Sequence, residues 1–437
     1  MKKLNNGLYA IGSTLAVTDT FKKAQIPMNE ENAIDDISPW GDDNLYPQEF
    51  LRKFEKTDAA IGGVEVLTTA HYGNGFKLYQ EVETEKGVDT RERSVNAFPE
   101  IKDFFKRTKW NLFMAGLITD YEIFRLAFPE FLLSPDGNKI ISVKRHQAAW
   151  CRFGAPDKKK FFVDKVFINS NWEEYNEAMN VKVPMIPEVG ASVEEIKQYA
   201  KEKKLTRFII PVSTIKTSER LYPRVGWHSA FNNGWTETVL SVPEFKKYMF
   251  ANQLHFKYVV YISDEFMTRK YGRNAWDDMS TEEKEKKRDE VVNTIDEHMS
   301  GNEAAGRSLI SPYFKDMNGN LMRGIEIVPI DDKIKDGNFL PDAAAGNSQI
   351  LFAMGVDPSL IGAGIPGGKN LSGSGSDKRE AYTILCSKMP FKRMHLLEVF
   401  NFIRDFNGWD ETLIGNFPNL NLTTLDKNPN GQTEVVN

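Results

Sequence analysis

Residues 341–364 read PDAAAGNSQILFAMGVDPSLIGAG, residues 365–377 IPGGKNLSGSGSD, and residues 378–406 KREAYTILCSKMPFKRMHLLEVFNFIRDF. The spacing predicts a helix over 341–354. Pro341 suits its first turn, Ala343 to Ala345 are good formers, and Ile350, Leu351 and Met354 give an apolar side. Gly346 weakens the run, and Gly355 with Pro358 ends it. From Gly362 to Ser376 there are six glycines and three serines, a loop that costs entropy to order. Lys369 and Asn370 are its only long polar residues. A second helix is expected from about Ser376, with Tyr382, Leu385, Met389, Leu396, Phe400 and Ile403 on one side. Pro390 removes a backbone donor inside that run, so a kink is expected there. Unkinked, the run would be roughly 28 residues or about 42 Å, long for a globular enzyme and suited to an elongated or oligomeric particle.

Working outward, the 437 residues leave room for two or three domains. The formal net charge is -5, so the basic footprint of a protein that grips nucleic-acid phosphates is absent. The only cysteines, Cys151 and Cys386, give neither a disulfide framework nor metal spacing, and fit a reducing interior. The N-terminal apolar run is broken by Gly7, Gly12 and Ser13, which reads as an arm rather than a signal peptide. No apolar run approaches 18 residues, so no membrane span is expected.

In chain order, residues 1–36 read as an arm. The turn-rich SPWGDDNLYP at 38–47 precedes a short helix at 48–56 and a stronger one capped by Asp58 and stopped by Gly73, Asn74 and Gly75. Residues 97–118 read as one amphipathic helix, its apolar faces supplied by Ile101, Phe104, Phe105, Leu112, Ala115 and Leu117. TDYEIFRLAF at 119–128 either continues it or starts a strand. From 130 to 215 strands dominate, with a helix over SVEEIKQYAKEKK. A helical period carrying Trp227, Phe231 and Trp235 is interrupted near Pro243. Ser280 and Glu283 form a capping box for a charged helix, inside an α/β insertion at about 256–332. The fold class is α+β with much antiparallel sheet.

Catalytic constellations are weak. GSGSDKRE lacks the GxxxxGK[ST] spacing and follows no strand, which argues against a phosphate loop. The six histidines are far apart, and HExxH is absent. The pairs Asp35-Asp36, Asp42-Asp43, Asp277-Asp278 and Asp331-Asp332 are adjacent residues that read as turns or surface. No spaced carboxylate set for a Mg²⁺ nuclease stands out. No catalytic residue, metal or cofactor is nominated.

Several segments, spread over most of the chain, resemble the tailed-bacteriophage portal protein family. SPWGDDNLYP resembles the start of a portal wing, and VPEFKKYMFANQLHFKYVVYIS at 242–263 a first stem helix running into a clip. GNEAAGRSLIS and IEIVPID resemble clip strands. SQILFAMGVDPSLIG resembles a second stem helix whose usual Gly-Val-Pro-Pro ending is here Gly355, Val356, Asp357, Pro358. NLSGSGSDKREAY resembles the loop and start of the long wing helix. The order of these parts is more specific than any one of them.

The resemblance implies a portal fold. Its parts are an arm (1–36), a wing (37–222), a first stem helix region (223–253), a clip (254–334) and a second stem helix (335–361). A channel loop (362–375), a long kinked wing helix (376–406) and a tail or small crown (407–437) complete it. It implies a homo-oligomeric ring, usually of twelve subunits, at one capsid vertex of the virion and assembled in the host cytoplasm. Double-stranded DNA would pass through it, and large terminase, major capsid or scaffold protein, and a neck or adaptor protein would be its partners. It implies no enzymatic activity, the ATPase belonging to the motor. The DNA-facing loop residues would be Lys369, Asn370, Ser372, Ser374, Lys378 and Arg379. Another oligomeric virion adaptor or scaffold protein is the alternative, and a metal-dependent nucleic-acid enzyme a more distant one.

Overall fold

The structure is a computed structural model. It describes residues 2–3, 9–10, 36–85, 87–156, 163–186, 192–215, 221–253, 258–299, 313–315, 319, 321–329, 340–361 and 375–420. The chain divides into two compact units, residues 1–239 with 344–437, and residues 240–343.

The first unit is mixed helix and sheet. Strands β1 (Lys2–Lys3) and β2 (Tyr9–Ala10) pair with each other. Helix α1 (Tyr46–Phe54) has Pro47 in its first turn, and α2 (Asp58–Tyr72) comes next. Thr57 is the N-cap of α2, so Asp58 is its first helical residue rather than the cap. Strands β3 (Lys77–Thr84) and β4 (Gly87–Arg93) form a hairpin, exposed along β4 and anchored in the core by Leu78 of β3.

The run expected to be one helix is two, α3 (Pro99–Thr108) and α4 (Trp110–Phe124). Lys109, at φ +49°, adopts the left-handed conformation between them. The break resets the helical phase. Trp110, Phe113, Met114, Leu117 and Tyr121 face the core, and Leu112 is left 69% exposed. Arg125, at φ +53°, then turns α4 directly into strand β5 (Leu126–Leu133).

Strand β5 is the centre of the main sheet and is almost wholly buried. It pairs antiparallel with β6 (Ile140–His146) on one side. Strands β7 (Cys151–Phe153), β8 (Lys165–Ile168) and β9 (Val181–Pro184) make a second antiparallel sheet. Helix α5 (Val193–Glu202) starts on a capping box between Ser192 and Glu195. Strands β10 (Arg207–Ile209) and β11 (Val212–Ser213) then complete the other side of β5. The register sets Pro129 of β5 opposite the interruption between β10 and β11. A residue without an N–H is tolerated in a central strand where the ladder is broken.

Trp227 and His228 lie in a 3-10 turn, Gly226–Phe231, and α6 (Trp235–Gln253) runs through Pro243 without stopping. The second unit contains β12 (Tyr258–Ile262), α7 (Asp264–Tyr271), α8 (Arg273–Asp277) and α9 (Thr281–Met299). It also holds β13 (Tyr313–Lys315), β14 (Leu321–Arg323) and β15 (Ile325–Pro329). β12 pairs with β15 and β13 with β14, over a small core of Met267, Trp276, Val291 and Ile295. The Ser280–Glu283 capping box is formed in both directions.

Helix α10 (Leu340–Met354), most of which belongs to the first unit, ends at Gly355, φ +68°. The expected long helix is α11 (Gly375–Ser387) and α12 (Met389–Asn407), separated at Lys388, with Pro390 in the first turn of α12. Proline is at home there because the first-turn N–H has no helical acceptor. Leu396, Val399, Phe400, Ile403 and Phe406 seat α12 in the core. Strand β16 (Leu413–Asn416) pairs with β3, extending the hairpin to the sheet β16-β3-β4. Nothing in the local sequence predicts a strand there. Among the described residues no helix is long and apolar enough to cross a membrane.

Candidate functional site

Lys369, Asn370, Ser372 and Ser374 lie outside the described residues, as do residues 362–374 as a whole. What the structure describes is the frame that holds the two ends of that segment. On the incoming side, Val356 N–H donates to Leu351 O at 3.1 Å after the turn at Gly355. Asp357 caps a 3-10 turn, Pro358–Leu360, by accepting from Ser359 N–H at 2.8 Å. The residue standing where the resembling ending has the first of its two prolines is therefore a cap.

Ile361 and Met354 then rest on α2 at Gly62 and Gly63. A Cβ at Gly62 would lie 3.2 Å from Ile361 Cγ2, and one at Gly63 2.6 Å from Met354 Sδ. Two adjacent glycines inside a helix are costly in isolation. Here they let α10 and the turn approach the helix closely. Ala-Ile-Gly-Gly-Val within a helical run is the sequence signal for such an approach, and only its partner is hidden. Similarly, Gly346 weakens α10 locally, but a Cβ there would lie 2.5 Å from Val239 Cγ2 and 3.1 Å from Trp235 O. It is the crossing point of α10 and the start of α6.

On the outgoing side, α11 begins at Gly375 and carries Lys378 and Arg379, both half-buried, in its first turns. Leu385 and Cys386 bury its far end. Beyond the break, a charged group holds α12 in place. Glu122 of α4 is fully buried and accepts from His71 Nδ1, Arg125 Nη1 and Lys392 Nζ, each at 2.8 Å. Burial alone would push this carboxyl up. The hydrogen bond from His71 and the charges of Arg125 and Lys392 outweigh it and hold the group at about 2. Burial keeps His71 neutral, with a pKa below the usual imidazole range. Next to it, Arg393 donates to the last carbonyls of α2, Ala70 O at 2.7 Å and His71 O at 3.0 Å. This is the charge placement that a helix C-terminus favours.

The SPWGDDNLYP segment is organised by a residue that the sequence does not single out. Arg152 is fully buried and makes five hydrogen bonds, to Asn44 Oδ1, Asn44 O, Gln48 Oε1, Ala149 O and Cys151 O. Its guanidinium lies 5.6 Å from the ring centre of Trp40 and 4.7 Å from that of Trp172. Burial lowers its pKa to about 10, which leaves it charged at neutral pH. Gly41 at φ +90° and Asn44 at φ +67° make the turn that wraps this cation. Trp227 is a core residue whose Nε1–H donates to Glu122 O at 3.2 Å.

The buried carboxylates are committed to cations. Asp120 takes a bidentate pair from Arg145 at 2.6 and 2.7 Å, and Glu130 accepts from His146 at 2.8 Å with Arg207 3.1 Å away. Among the described residues, no group of three or more His, Cys, Asp or Glu side chains is placed to hold a metal ion.

No family model and no curated protein matches the chain. Solved structures do match in fold. A chain in the virion of a native gene transfer agent particle aligns with TM-score 0.53 and 13% identity, over 87% of this chain and 84% of that one. A chain in the neck of an empty particle of the same kind, computed with C6 symmetry, gives 0.52 and 13%, over 84% and 82%. One in the neck of a native particle, computed with C12 symmetry, gives 0.51 and 13%, over 84% and 83%. The chain shares the fold of these particle and neck components over most of its length.

Proposed function

We propose that this chain is a portal-type head-to-tail connector subunit of a phage-like particle. The observation that carries the proposal is the fold match to chains of a particle and its neck, spanning more than four-fifths of both partners. The order of parts supports it, because the unit at 240–343 is inserted in sequence within the rest of the chain, beginning inside α6 and ending inside α10. The subunit forms a homo-oligomeric ring, twelve-fold in the usual case, at a single capsid vertex. Double-stranded DNA passes through the ring during packaging and ejection. Terminase docks on it first and a neck or adaptor protein later, and capsid or scaffold protein surrounds it. The segment 362–374, with Lys369, Asn370, Ser372 and Ser374, together with Lys378 and Arg379 at the start of α11, faces the DNA. The net charge of -5 suits a channel that must let DNA slide, since each phosphate contact adds friction. The protein performs no chemistry itself, and acts in the virion after assembly in the host cytoplasm.

Electron microscopy of the purified protein, with its mass measured in solution, tests this. A ring with a central hole is the expected result. A chain that stays monomeric both alone and when produced with its capsid protein would overturn it. Crosslinking from a Ser372→Cys variant to DNA in stalled packaging tests the loop assignment separately, and absence of a crosslink there counts against it.

A further inference from the structure

The β3–β4 hairpin outruns its sheet. β16 pairs with β3 only over Lys77–Gln80, and the last bond from that side is Glu81 N–H to Thr412 O at 2.9 Å. Beyond it, residues 82–84 and 87–89 form a two-stranded ribbon about 10 Å long. Such a ribbon is marginal in water unless something packs on it. All of β4 is exposed, Val88 at 65%. Over 81–90 four carboxylates, Glu81, Glu83, Glu85 and Asp89, stand against one lysine. The register sets Glu81 opposite Thr90 and Glu83 opposite Val88, so Glu81, Glu83 and Val88 share a face. The hairpin's own ion pairs are Lys77–Glu92 and Arg91–Asp89, and no cation among the described residues pairs with Glu81 or Glu83. The charges along β4 discourage a further strand, so a partner meets the ribbon through its side chains.

A second surface has the opposite charge. Over 99–109 four cations, Lys102, Lys106, Arg107 and Lys109, stand against two carboxylates, and one of these, Glu100, is taken by Lys139 at 2.6 Å. Lys102 and Lys106 lie one turn apart on the exposed side of α3, and no carboxylate among the described residues pairs with them. Leu112, in the first turn of α4 just past Lys109, is the exposed leucine left by the helix break. Each surface thus combines unpaired charges of one sign with one exposed aliphatic side chain, acidic with Val88 on the ribbon and basic with Leu112 on α3 and α4.

We propose that the ribbon of one subunit docks on the α3 surface of the next, Glu81 and Glu83 meeting Lys102 and Lys106, and Val88 packing on Leu112. Resting on the ring proposed above, this assigns the surfaces that neighbours share. An acidic ribbon does not suit nucleic acid, whose phosphates repel it. It requires a basic partner surface, and the chain carries one itself. Two different patches joined in this way make a head-to-tail contact, the kind that closes into a ring. The charge pairs orient the encounter, and the buried aliphatic pair adds to its hold.

Charge reversal in the full chain tests it. Glu81→Lys with Glu83→Lys makes both surfaces basic, and Lys102→Glu with Lys106→Glu makes both acidic. Every changed side chain is exposed, so melting temperatures are expected to stay the same. Sedimentation at low salt is expected to show each variant alone assembling about tenfold more weakly than the unchanged chain, and an equal mixture of the two recovering assembly. In a mixture of isotope-labelled and unlabelled unchanged chains, carbodiimide coupling is expected to join Glu81 or Glu83 of one copy to Lys102 or Lys106 of another. Variants that assemble as well as the unchanged chain, a mixture no better than its parts, or couplings found only within one copy would each overturn the docking and leave the ring standing. An unchanged chain that stays monomeric even with its capsid protein would overturn both.

Discussion

Lys392 Nζ donates to Glu122 Oε2 at 2.8 Å, across 270 residues of sequence. The bond joins α4 to the first turn of α12, just past the break between α11 and α12. With His71 of α2 on the other carboxylate oxygen, one side chain locks three helices. Replacing it leaves two half-buried cations without a counter-charge. Glu122→Gln is therefore expected to destabilise the protein by about 3–5 kcal/mol. Removing both ends, in Glu122→Leu with Lys392→Met, is expected to cost less than the two single changes added together. Urea unfolding of the four proteins checks the non-additivity.

A second expectation concerns acid. His228 is buried against Phe50, donates from Nε2 to Ile123 O and accepts from Tyr46 O–H at Nδ1, at 2.8 and 2.7 Å. The bond accepted at Nδ1 requires the neutral ring, and burial lowers its pKa from 6.5 to about 3. The unfolded chain takes up this proton below pH 6.5 while the folded one does not until about 3. Glu122, lowered from 4.5 to about 2, acts in the same sense over its lower window. Stability is thus full above pH 6.5 and falls progressively as pH drops through 4.5 towards 2. Melting temperatures measured from about pH 8 to pH 3 are expected to show this. In His228→Gln the part of the decline between 6.5 and 4.5 should flatten, and an unchanged slope there would assign the loss elsewhere.

The two close helix approaches differ in what they touch. A methyl at Gly63 meets the flexible end of Met354, whereas one at Gly346 meets Val239 and the carbonyl of Trp235. The methyl gains up to about 1 kcal/mol of helix propensity in either place. Gly63→Ala is expected to be nearly neutral, because Met354 can swing aside. Gly346→Ala is expected to lose about 1–3 kcal/mol through overpacking. Thermal unfolding of the pair checks the order, and a reversal would mean that the α6–α10 crossing is the softer one.

Local patterns in the sequence carried much of the fold. The capping box at Ser280 and the helix over 192–204 each depend on residues a few positions apart. What escaped depends on distant partners or on conformations without a signature. β16 becomes a strand because β3, more than 300 residues earlier, offers it an edge. The break at Lys109 needs a left-handed lysine, which no composition rule announces. Asp120 and Glu122, two carboxylates in an otherwise apolar helix, were a readable sign of buried ion pairs. Their partners Arg145 and Lys392 could be named only from the fold. The candidate loop, Gly-rich and polar, carries no packing pattern to read, and the structure contributes its frame instead.

The final expectation tests how the SPWGDDNLYP turn is held. Arg152 serves it through geometry as much as charge, since a planar fork satisfies acceptors on Asn44, Gln48, Ala149 and Cys151 between two indole rings. Lysine keeps the charge but is a point donor with no planar face. Arg152→Lys is expected to leave at least two of these buried acceptors unmet, at about 1–3 kcal/mol each. Arg152→Met removes every donor and the cation–π contacts, and is expected to be worse, although it also removes a buried charge. Denaturant unfolding gives the order, and near-ultraviolet circular dichroism reports whether Trp40 and Trp172 keep their fixed environments. If methionine were tolerated better than lysine, desolvation of the guanidinium would outweigh its five bonds, and the turn at Gly41 and Asn44 would have to be held by Trp40 stacked on Tyr222, 4.4 Å between ring centres, instead.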